Sequence, residues 1–276
     1  MQCRISANLI TLNEERNIAA CLESLRWADE IVVVDGGSQD RTVELAQRFT
    51  GNVTVHSFHD FASQRNLALD RSHGDWIFSI DADERVTPAL AREIQMEAKL
   101  APAGCSGFWV PIRSLIFHRR FRHSGVQSER KMRLFRRSAG RWEGSLHEKV
   151  RLDGFARRLR NAIEHYSTAS VDAYLHKLMR YSSIEADRMM ASGRRPSWWR
   201  AWAGPAWTFV RRYFGGLGLL DGPEGFRFAI LSAWESWISH QKFLERSIER
   251  ARQGVVAKTA SMPLKEEWHE RTPVGI

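Results

Sequence analysis

Two aspartates separated by one residue follow a short apolar run in the middle of the chain. The run is Trp76–Ile80, and it leads directly into Asp81-Ala82-Asp83. Two carboxylates at the end of a buried strand can ligate Mg²⁺ or Mn²⁺ and leave coordination positions for water and phosphate oxygens. Such an ion neutralises the charge that develops on a departing diphosphate. The plainer alternative is that Asp83 and Glu84 decorate the first turn of the next helix, and the position after a strand favours the metal site.

Two further polar clusters each follow a predicted strand. They are Thr11-Leu12-Asn13-Glu14-Glu15 and Asp35-Gly36-Gly37-Ser38-Gln39-Asp40. Asn, Asp and Ser are common helix caps, so a single cluster of this kind would carry little information. In a parallel sheet, however, the carboxyl ends of the strands meet at one edge, where ligands bind. We therefore predict one shared site at this edge.

The elements that position these clusters alternate between strand and helix. Apolar and β-branched runs predict four strands, at residues 4–10, 31–34, 53–55 and 76–80. Asn13, Ser38 and Pro88 are predicted at the starts of three helices, the last of which runs to about Leu100. This repeat predicts an α/β fold, a sandwich built on a mostly parallel sheet.

The second half of the chain changes character. Three short strands joined by basic loops are predicted at residues 108–112, 132–135 and 141–142, and three helices at 171–191, 198–214 and 226–250. We predict a catalytic domain over residues 1–165, a helical region over 166–250 and a loose tail over 251–276.

Composition excludes several classes of protein. The chain has 276 residues, 43% of them apolar, and a net charge of +9, which is an ordinary composition for a folded protein. Its three cysteines disfavour a disulfide framework and a four-cysteine zinc site and favour a reducing compartment. No signal peptide or spanning helix is predicted.

The positive charge is concentrated in one segment. Residues 117–160 carry 14 Lys and Arg against 4 Asp and Glu. This excess indicates an anionic partner, namely a nucleotide, a phospholipid surface, a phosphorylated glycan or a nucleic acid. A solvated basic face without any ligand is the alternative.

The ordered motifs resemble those of family 2 glycosyltransferases. The resemblance rests on Thr11–Glu15, on Val32–Thr42 (VVVDGGSQDRT), on Gln64-Arg65-Asn66 and on Ile80-Asp81-Ala82-Asp83-Glu84. A narrower resemblance, to lipopolysaccharide core glucosyltransferases of Gram-negative bacteria, rests on Trp27-Ala28-Asp29-Glu30, Asp83-Glu84-Arg85-Val86 and Leu146-His147-Glu148-Lys149-Val150. It covers about residues 4–150. It implies a GT-A fold, a nucleotide-sugar donor and inversion at the anomeric carbon.

The resemblance also implies roles for individual residues. Thr11, Glu14 and Asp35 would face the uridine of the donor, and Arg65 would lie near its diphosphate. Asp81 and Asp83 would hold Mg²⁺ or Mn²⁺.

An inverting transfer needs a carboxylate that takes the proton of the acceptor hydroxyl. Glu148 is the first candidate and Glu129 the second. His147 is predicted either in the metal shell or against phosphate, with a structural hydrogen bond as the alternative. Arg130 and Arg133 are candidates to clamp the donor diphosphate or a phosphorylated acceptor, although their alternation also fits a plain half-exposed strand.

The predicted helical region is rich in tryptophan and arginine. It holds six of the eleven tryptophans, at positions 198, 199, 202, 207, 234 and 237. Tryptophan with arginine on helices that do not span is typical of elements at an anionic membrane surface. Packing of the tryptophans within a helical subdomain is the alternative.

Taken together, these features predict a cytoplasmic enzyme, peripheral on the inner face of the inner membrane. It would transfer a hexose, glucose from UDP-glucose, onto a heptose of the lipid-linked lipopolysaccharide inner core. A sugar nucleotidyltransferase would instead want a glycine-rich basic loop after the first strand, where Thr11–Glu15 has two acids and no glycine. A basic nucleic-acid-binding protein is the other alternative, but no recognition helix or aromatic stacking sheet is evident, so nucleic acid is not the predicted partner.

Overall fold

The computed structural model describes residues 3–116, 119–125, 129–144, 148–168 and 171–260. Its contacts divide the chain into two compact units. We call Met1–Tyr174 with Arg212–Phe228 the sheet unit, and Leu175–Arg211 with Ala229–Ile276 the helical unit.

The first hundred residues alternate between strand and helix as the sequence predicts. The elements are β1 (Ile5–Thr11), α1 (Ile18–Glu23), β2 (Glu30–Asp35), α2 (Thr42–Gln47), β3 (Val53–Val55), α3 (Phe61–Asp70), β4 (Trp76–Asp81), β5 (Glu84–Arg85) and α4 (Pro88–Leu100).

The second half of the sheet unit is built of strands. They are β6 (Cys105–Ile116), β7 (Arg119–Arg120), β8 (Arg130–Arg136), β9 (Gly140–Glu143), β10 (Lys149–Leu152), β11 (Phe155–Arg158) and β12 (Ile163–Thr168). Three of these strands were predicted, each shorter than observed. β7, β10, β11 and β12 were not predicted, because these short strands are rich in polar and charged residues and carry no continuous apolar pattern.

The strand order explains how the polar clusters meet. The main sheet runs β3-β2-β1-β4-β8-β6-β12-β5. β1 pairs in parallel with both β2 and β4, with Thr11 opposite Asp35 and Ile10 opposite Asp81. The three strands therefore end at one edge, as predicted. From β8 onward the sheet is mixed, because β8 is antiparallel to both β4 and β6. The predicted α/β sandwich with a mostly parallel sheet, followed by helices, is confirmed.

Apolar clusters lie on both faces of this sheet. A larger cluster includes Leu9, Phe78 and Phe108, and a second one joins α3 to Phe135 and Trp142. The second cluster is important for function because α3 also carries Arg65.

Three helices follow the last strand: α5 (Val171–Ala191), α6 (Trp198–Val210) and α7 (Gly222–Ala260). α6 ends four residues earlier than predicted and continues as a π-helical turn over Arg211–Gly215. The prediction of a loose tail from residue 251 is wrong for residues 251–260, because α7 continues to Ala260; residues 261–276 lie outside the described part. No helix in the described residues is long and apolar enough to cross a membrane.

The segment between α6 and α7 belongs to the sheet unit, although the sequence assigns it to the helical region. The Asp221 carboxylate accepts hydrogen bonds from the backbone N–H groups of Arg122 and His123, and Phe228 packs on Phe121. These contacts are made by side chains about 100 positions apart, which no local pattern predicts.

Candidate active site

The loops that follow β1 and β2 are bonded to each other. Asn13 adopts a left-handed backbone with φ of 54°, and its side-chain oxygen accepts from the Gln39 N–H at 2.8 Å. The Asn13 N–H donates to the Ser38 hydroxyl, also at 2.8 Å. The prediction that Asn13 and Ser38 cap helices is therefore wrong, because their polar groups join the two loops and α1 and α2 begin at later residues.

Asp35 has a structural role in this pair of loops. Its buried carboxylate accepts from the Gly37 and Ser38 N–H groups at 2.9 and 2.7 Å, and from the Ser38 hydroxyl. Gly37 has a φ of 96°, which favours glycine. A contact of Asp35 with a nucleobase stays a prediction, since three hydrogen bonds of its own loop occupy the carboxylate.

Thr11 lies opposite Asp35 in the sheet, but its side chain makes no comparable hydrogen bonds among the described residues. Its side chain is buried, and its hydroxyl has no hydrogen-bond partner among the described residues. A buried hydroxyl without a partner is costly, so this group is suited to a ligand at the sheet edge. Glu14, the other predicted uridine contact, accepts from the Asn17 amide at 2.7 Å.

Asp81 lies between two arginines at the end of β4. One carboxylate oxygen accepts from Arg65 at 2.6 Å and the other from Arg133 at 2.5 Å. Burial raises the pKa of Asp81, but the charges of Arg133 and Arg65 outweigh it and hold this pKa well below its ordinary value. Asp81 is therefore an anion that fixes two guanidinium groups, and its predicted role as a metal ligand stays a prediction.

Arg133 reaches this position through an irregularity in β8. Leu134 pairs with Phe108 and Met132 pairs with Trp109, so β8 advances by two residues where β6 advances by one. Arg133 is the extra residue, and an extra residue of this kind re-aims its side chain. The Arg133 guanidinium is buried and also donates to Glu84 at 2.7 Å. The predicted clamp of Arg133 on a diphosphate stays a prediction, since Nη2 of its guanidinium already donates to Asp81 and Glu84.

Glu84 completes the buried group. One of its oxygens accepts from the Asp81 backbone N–H at 2.9 Å. Burial and the nearby Asp81 charge raise the pKa of Glu84 despite the opposing charge of Arg133. The sequence suggests no site role for Glu84, which the plainer alternative puts in the first turn of the next helix, but the structure places it inside the site.

Arg65 connects Asp81 to the predicted base. Its Nε donates to Glu148 at 3.2 Å and its Nη1 to the Ser79 hydroxyl at 3.2 Å. The guanidinium carbon lies 4.8 Å from the centre of the Trp142 ring. Arg65 thus holds the first-choice base beside the end of β4, although the two carboxylates are 67 residues apart in sequence.

Asp83 has a histidine partner that the sequence analysis missed. His165 Nε2 lies 3.2 Å from an Asp83 carboxylate oxygen. Burial lowers the pKa of His165, but the bond to Asp83 and the charges of Asp83 and Glu84 outweigh it and raise the pKa. The feature that brings His165 to the site is the pairing of β12 with β5, which puts His165 opposite Glu84. This pairing has no local signal in the sequence.

Asp83 and His165 form a carboxylate–imidazole pair near the end of β4. Within the described ranges, no cluster of three or more His, Cys, Asp or Glu side chains is arranged to hold a metal. Asp83 and His165 supply two of the donor atoms that a divalent cation can use, a carboxylate oxygen and, when the ring is neutral, an imidazole nitrogen. His147, the predicted third donor, lies outside the described residues.

The remaining two candidates lie apart from this cluster. Glu129 is exposed and pairs with Lys131 at 3.5 Å. Arg130 is exposed and donates to the Leu159 carbonyl at 3.2 Å. Neither residue contacts Asp81, Arg65 or Glu148, so the structure brings together the first-choice base and not the second.

Comparison with known proteins gives a consistent family. The model of the Glycosyl transferase family 2 matches residues 6–167. The chain is 32% identical over 259 residues to the lipopolysaccharide core biosynthesis glycosyltransferase LpsC of Rhizobium meliloti, with 91% of this chain and 96% of the relative covered. It is 27% identical to an uncharacterized glycosyltransferase of Rickettsia bellii, covering 98% of this chain and 95% of the relative.

Among solved structures, a mannosyltransferase of Pyrobaculum calidifontis in complex with GDP-Man and Mn²⁺ is similar over 87% of both chains, with 15% identity and a TM-score of 0.49. The family match covers more than half of this chain, including every residue of the cluster around Asp81. The chain belongs to glycosyl transferase family 2.

Proposed function

We propose that this family 2 enzyme transfers a hexose, glucose from UDP-glucose, onto a heptose of the lipopolysaccharide inner core, with inversion of the anomeric centre. The similarity to a lipopolysaccharide core glycosyltransferase over nearly the whole of both chains supports the acceptor class. The choice of glucose as the transferred sugar and of heptose as the acceptor sugar rests on the narrower motif resemblance. The alternatives of a nucleotidyltransferase and a nucleic-acid-binding protein lack a comparable observation in their favour.

The observation that carries the proposal is the bridge from Asp81 through Arg65 to Glu148. It places a partly exposed carboxylate, 19% accessible at its side chain, next to the strand end where family 2 motifs cluster. A base must reach the acceptor from solvent while remaining close to the donor, and Glu148 meets both requirements.

The charges of the site support a role for a divalent cation. Among the described residues, Asp81, Glu84 and Glu148 share two arginines and Asp83 pairs with His165, so the carboxylates of the cluster outnumber its arginines. This excess repels a diphosphate unless a cation lies between them. We propose that Asp83 and His165, with His147, hold Mg²⁺ or Mn²⁺. The ion would supply Lewis-acid stabilisation of the leaving diphosphate.

In the proposed reaction, a carboxylate oxygen of Glu148 takes the proton of the acceptor hydroxyl. The acceptor oxygen forms a bond to the anomeric carbon as the bond from that carbon to the diphosphate oxygen breaks on the opposite face. The bonding electrons leave with the nucleoside diphosphate. Arg65 orients Glu148 through the 3.2 Å hydrogen bond and keeps it beside Asp81.

Donor recognition is proposed at the edge formed by β1 and β2. The Thr11 hydroxyl, with no partner among the described residues, is the group best suited to a polar atom of the nucleoside. Asp35 would act by shaping the loop, since its own oxygens already accept three hydrogen bonds.

We further propose that the helical unit binds the cytoplasmic, anionic face of the inner membrane, where a lipid-linked acceptor is found. Trp198, Trp199 and Trp202 on α6 are 69, 68 and 62% exposed. Arg194, Arg195 and Arg200 are exposed nearby in sequence. Exposed tryptophan with arginine is the composition that partitions to a charged interface.

The test is transfer from a panel of sugar nucleotides to core oligosaccharide, with and without Mn²⁺. We expect transfer from UDP-glucose, and we expect the Asp83→Ala variant to lose it while keeping its far-UV circular dichroism. Glu148→Gln should suppress transfer and spare UDP binding, whereas the matched variant Glu129→Gln should behave as wild type. Full turnover in Asp83→Ala, or a loss confined to Glu129→Gln, would contradict the proposed roles.

A further inference from the structure

A row of exposed aromatic and basic residues lies on the strands beside the active site. Trp109 and Arg113 are four residues apart on β6, so their side chains share one face of the sheet. Strand register places Arg158 of β11 opposite Trp109 and Arg130 of β8 opposite Pro111, on the same face. We call Trp109, Arg113, Arg130 and Arg158 the β6 strip.

The β6 strip is on the side of the sheet that carries the candidate base. Met132, the register partner of Trp109, belongs to the apolar cluster that contains Trp142. The Trp142 ring lies under the Arg65 guanidinium, which holds Glu148. A molecule lying on the strip would therefore lie on the same face as the base.

No described carboxylate forms an ion pair with an arginine of the strip. Among the described residues, neither Arg113 nor Arg158 pairs with a carboxylate, and Arg130 donates only to the Leu159 carbonyl. Two acids lie close by, but both are occupied, since Glu164 pairs with Arg120 and Glu129 with Lys131.

Arg157, the neighbour of Arg158 in sequence, differs from it in having a carboxylate partner. Arg157 precedes Arg158 on β11, so its side chain points to the opposite face of the sheet. There it pairs with Glu97 on α4 at 3.1 Å. Arg157 on the opposite face thus has an internal carboxylate partner, whereas Arg113 and Arg158 of the β6 strip have none among the described residues.

We propose that the β6 strip binds the acceptor as an anionic oligosaccharide. The indole of Trp109, 40% exposed, packs against the apolar side of a sugar ring. The three guanidinium groups bind phosphate or carboxylate substituents, for which their planar fork is suited. The strip spans ~13 Å along β6, so it extends beyond a single reacting sugar. This inference rests on the proposed function, because it requires an acceptor glycan that ends at Glu148.

The experiment measures direct binding of a soluble probe by isothermal titration calorimetry. The probe is core oligosaccharide freed from its lipid, used in three forms: intact, with phosphate removed, and with its carboxylates reduced. Trp109→Ala and Arg158→Gln test the strip. Phe155→Ala and Arg157→Gln are matched controls, because both residues are exposed on β11 and lie outside the strip.

We expect Trp109→Ala to raise the Kd of the intact probe about tenfold, as for a central aromatic contact. Arg158→Gln should raise it about tenfold as well, and this effect should disappear on the probe form that lacks the anion bound by Arg158. The two control variants should bind as wild type does. Equal Kd values for wild type and both strip variants would overturn the proposal, as would equal losses in strip and control variants.

The design separates this inference from the proposed function. If the probe binds through the strip but accepts no sugar from any donor, the proposed function fails and the strip stands. If UDP-glucose is consumed in transfer while no strip variant changes the Kd or the KM of the acceptor, the strip fails and the function stands. Tighter binding of single-stranded DNA than of the probe, weakened by Trp109→Ala, would overturn the assignment to a glycan in favour of a nucleic acid.

Discussion

Two regions of this enzyme depart from the usual distribution, in which charged side chains are exposed and large aromatic side chains are mostly buried. At the end of β4, Arg133 and Glu84 are 2 and 0% exposed, although charged side chains are almost never fully buried unless paired. On α6 in the helical unit, Trp199 and Trp207 are 68 and 66% exposed. In the first region the reversal is compensated inside the protein, because each buried charge is bonded to an opposite one.

The exposed tryptophans of α6 have a different explanation. α6 packs through small side chains, with Ala201 and Pro205 buried and Gly204 so close to His240 that an added Cβ would lie 3.0 Å from the ring. Small residues on the packed side leave the tryptophans outward. Buried charge in this protein is therefore satisfied by the chain itself, whereas the exposed tryptophans of α6 form an apolar surface that the chain leaves open to solvent.

The largest expected effect is on stability, from Arg133→Met. This change leaves the buried carboxylates of Asp81 and Glu84 without a cation that contacts both. Removing one member of a buried charge group costs about 3–5 kcal/mol. Denaturant unfolding would measure this loss in the free energy of unfolding. Arg141→Met is the control, because Arg141 pairs with Asp70 at the surface and should cost under about 1 kcal/mol. Equal losses in the two variants would remove the distinction between buried and exposed pairs.

The next largest expected effect is a loss of metal binding and activity when His165 is replaced. The hydrogen bond of His165 to Asp83, near the end of β4, is the contact that we assign to metal binding. His165→Ala should lower activity and the affinity for Mn²⁺ by about 100-fold, because it removes one of the two described donors. Activity measured against Mn²⁺ concentration would show this as a shifted midpoint. His73→Ala is the control, since His73 is exposed and pairs with Glu30. An unchanged midpoint in His165→Ala would mean that this histidine only completes the ion pairs of the protein.

A smaller effect tests the second region. The double change Trp198→Ser and Trp199→Ser should weaken binding to vesicles with anionic headgroups by at least about tenfold, because it removes two aromatic side chains from the interface. Vesicle sedimentation would measure the bound fraction. Phe155→Ala, which removes an exposed aromatic residue of the sheet unit, should leave that fraction unchanged. Equal binding of all variants would make the tryptophans a surface for something other than lipid.

The sequence was sufficient for the part of the site that local patterns determine. The strands ending at Thr11, Asp35 and Asp81 follow from apolar runs, and their convergence follows from parallel pairing. Glu148 was ranked above Glu129 because it follows the strands expected to border the acceptor. The structure places Glu148 in contact with Arg65, and its role as the base stays a prediction.

The parts of the site that could not be predicted depend on contacts between strands that are far apart in sequence. His165 reaches Asp83 only through pairing of β12 with β5, and both strands are short. Arg133 enters the site through the irregular register of β8, whereas simple alternation treats it as one more residue of a half-exposed strand. Glu84 is polar in sequence and fully buried in the fold because Arg133 and the Asp81 N–H satisfy its carboxylate.

The smallest expected effect is the change in stability from Trp199→Ser alone. Because this side chain is 68% exposed, its loss should change the free energy of unfolding by no more than about 0.5 kcal/mol. Trp76→Ala is the contrast, since Trp76 is 1% exposed and packs against Phe108, and it should cost about 3–5 kcal/mol. Both values come from chemical denaturation without lipid. A loss near that of Trp76→Ala would show that Trp199 stabilises the fold, and the exposed tryptophans of α6 would then need no partner outside the chain.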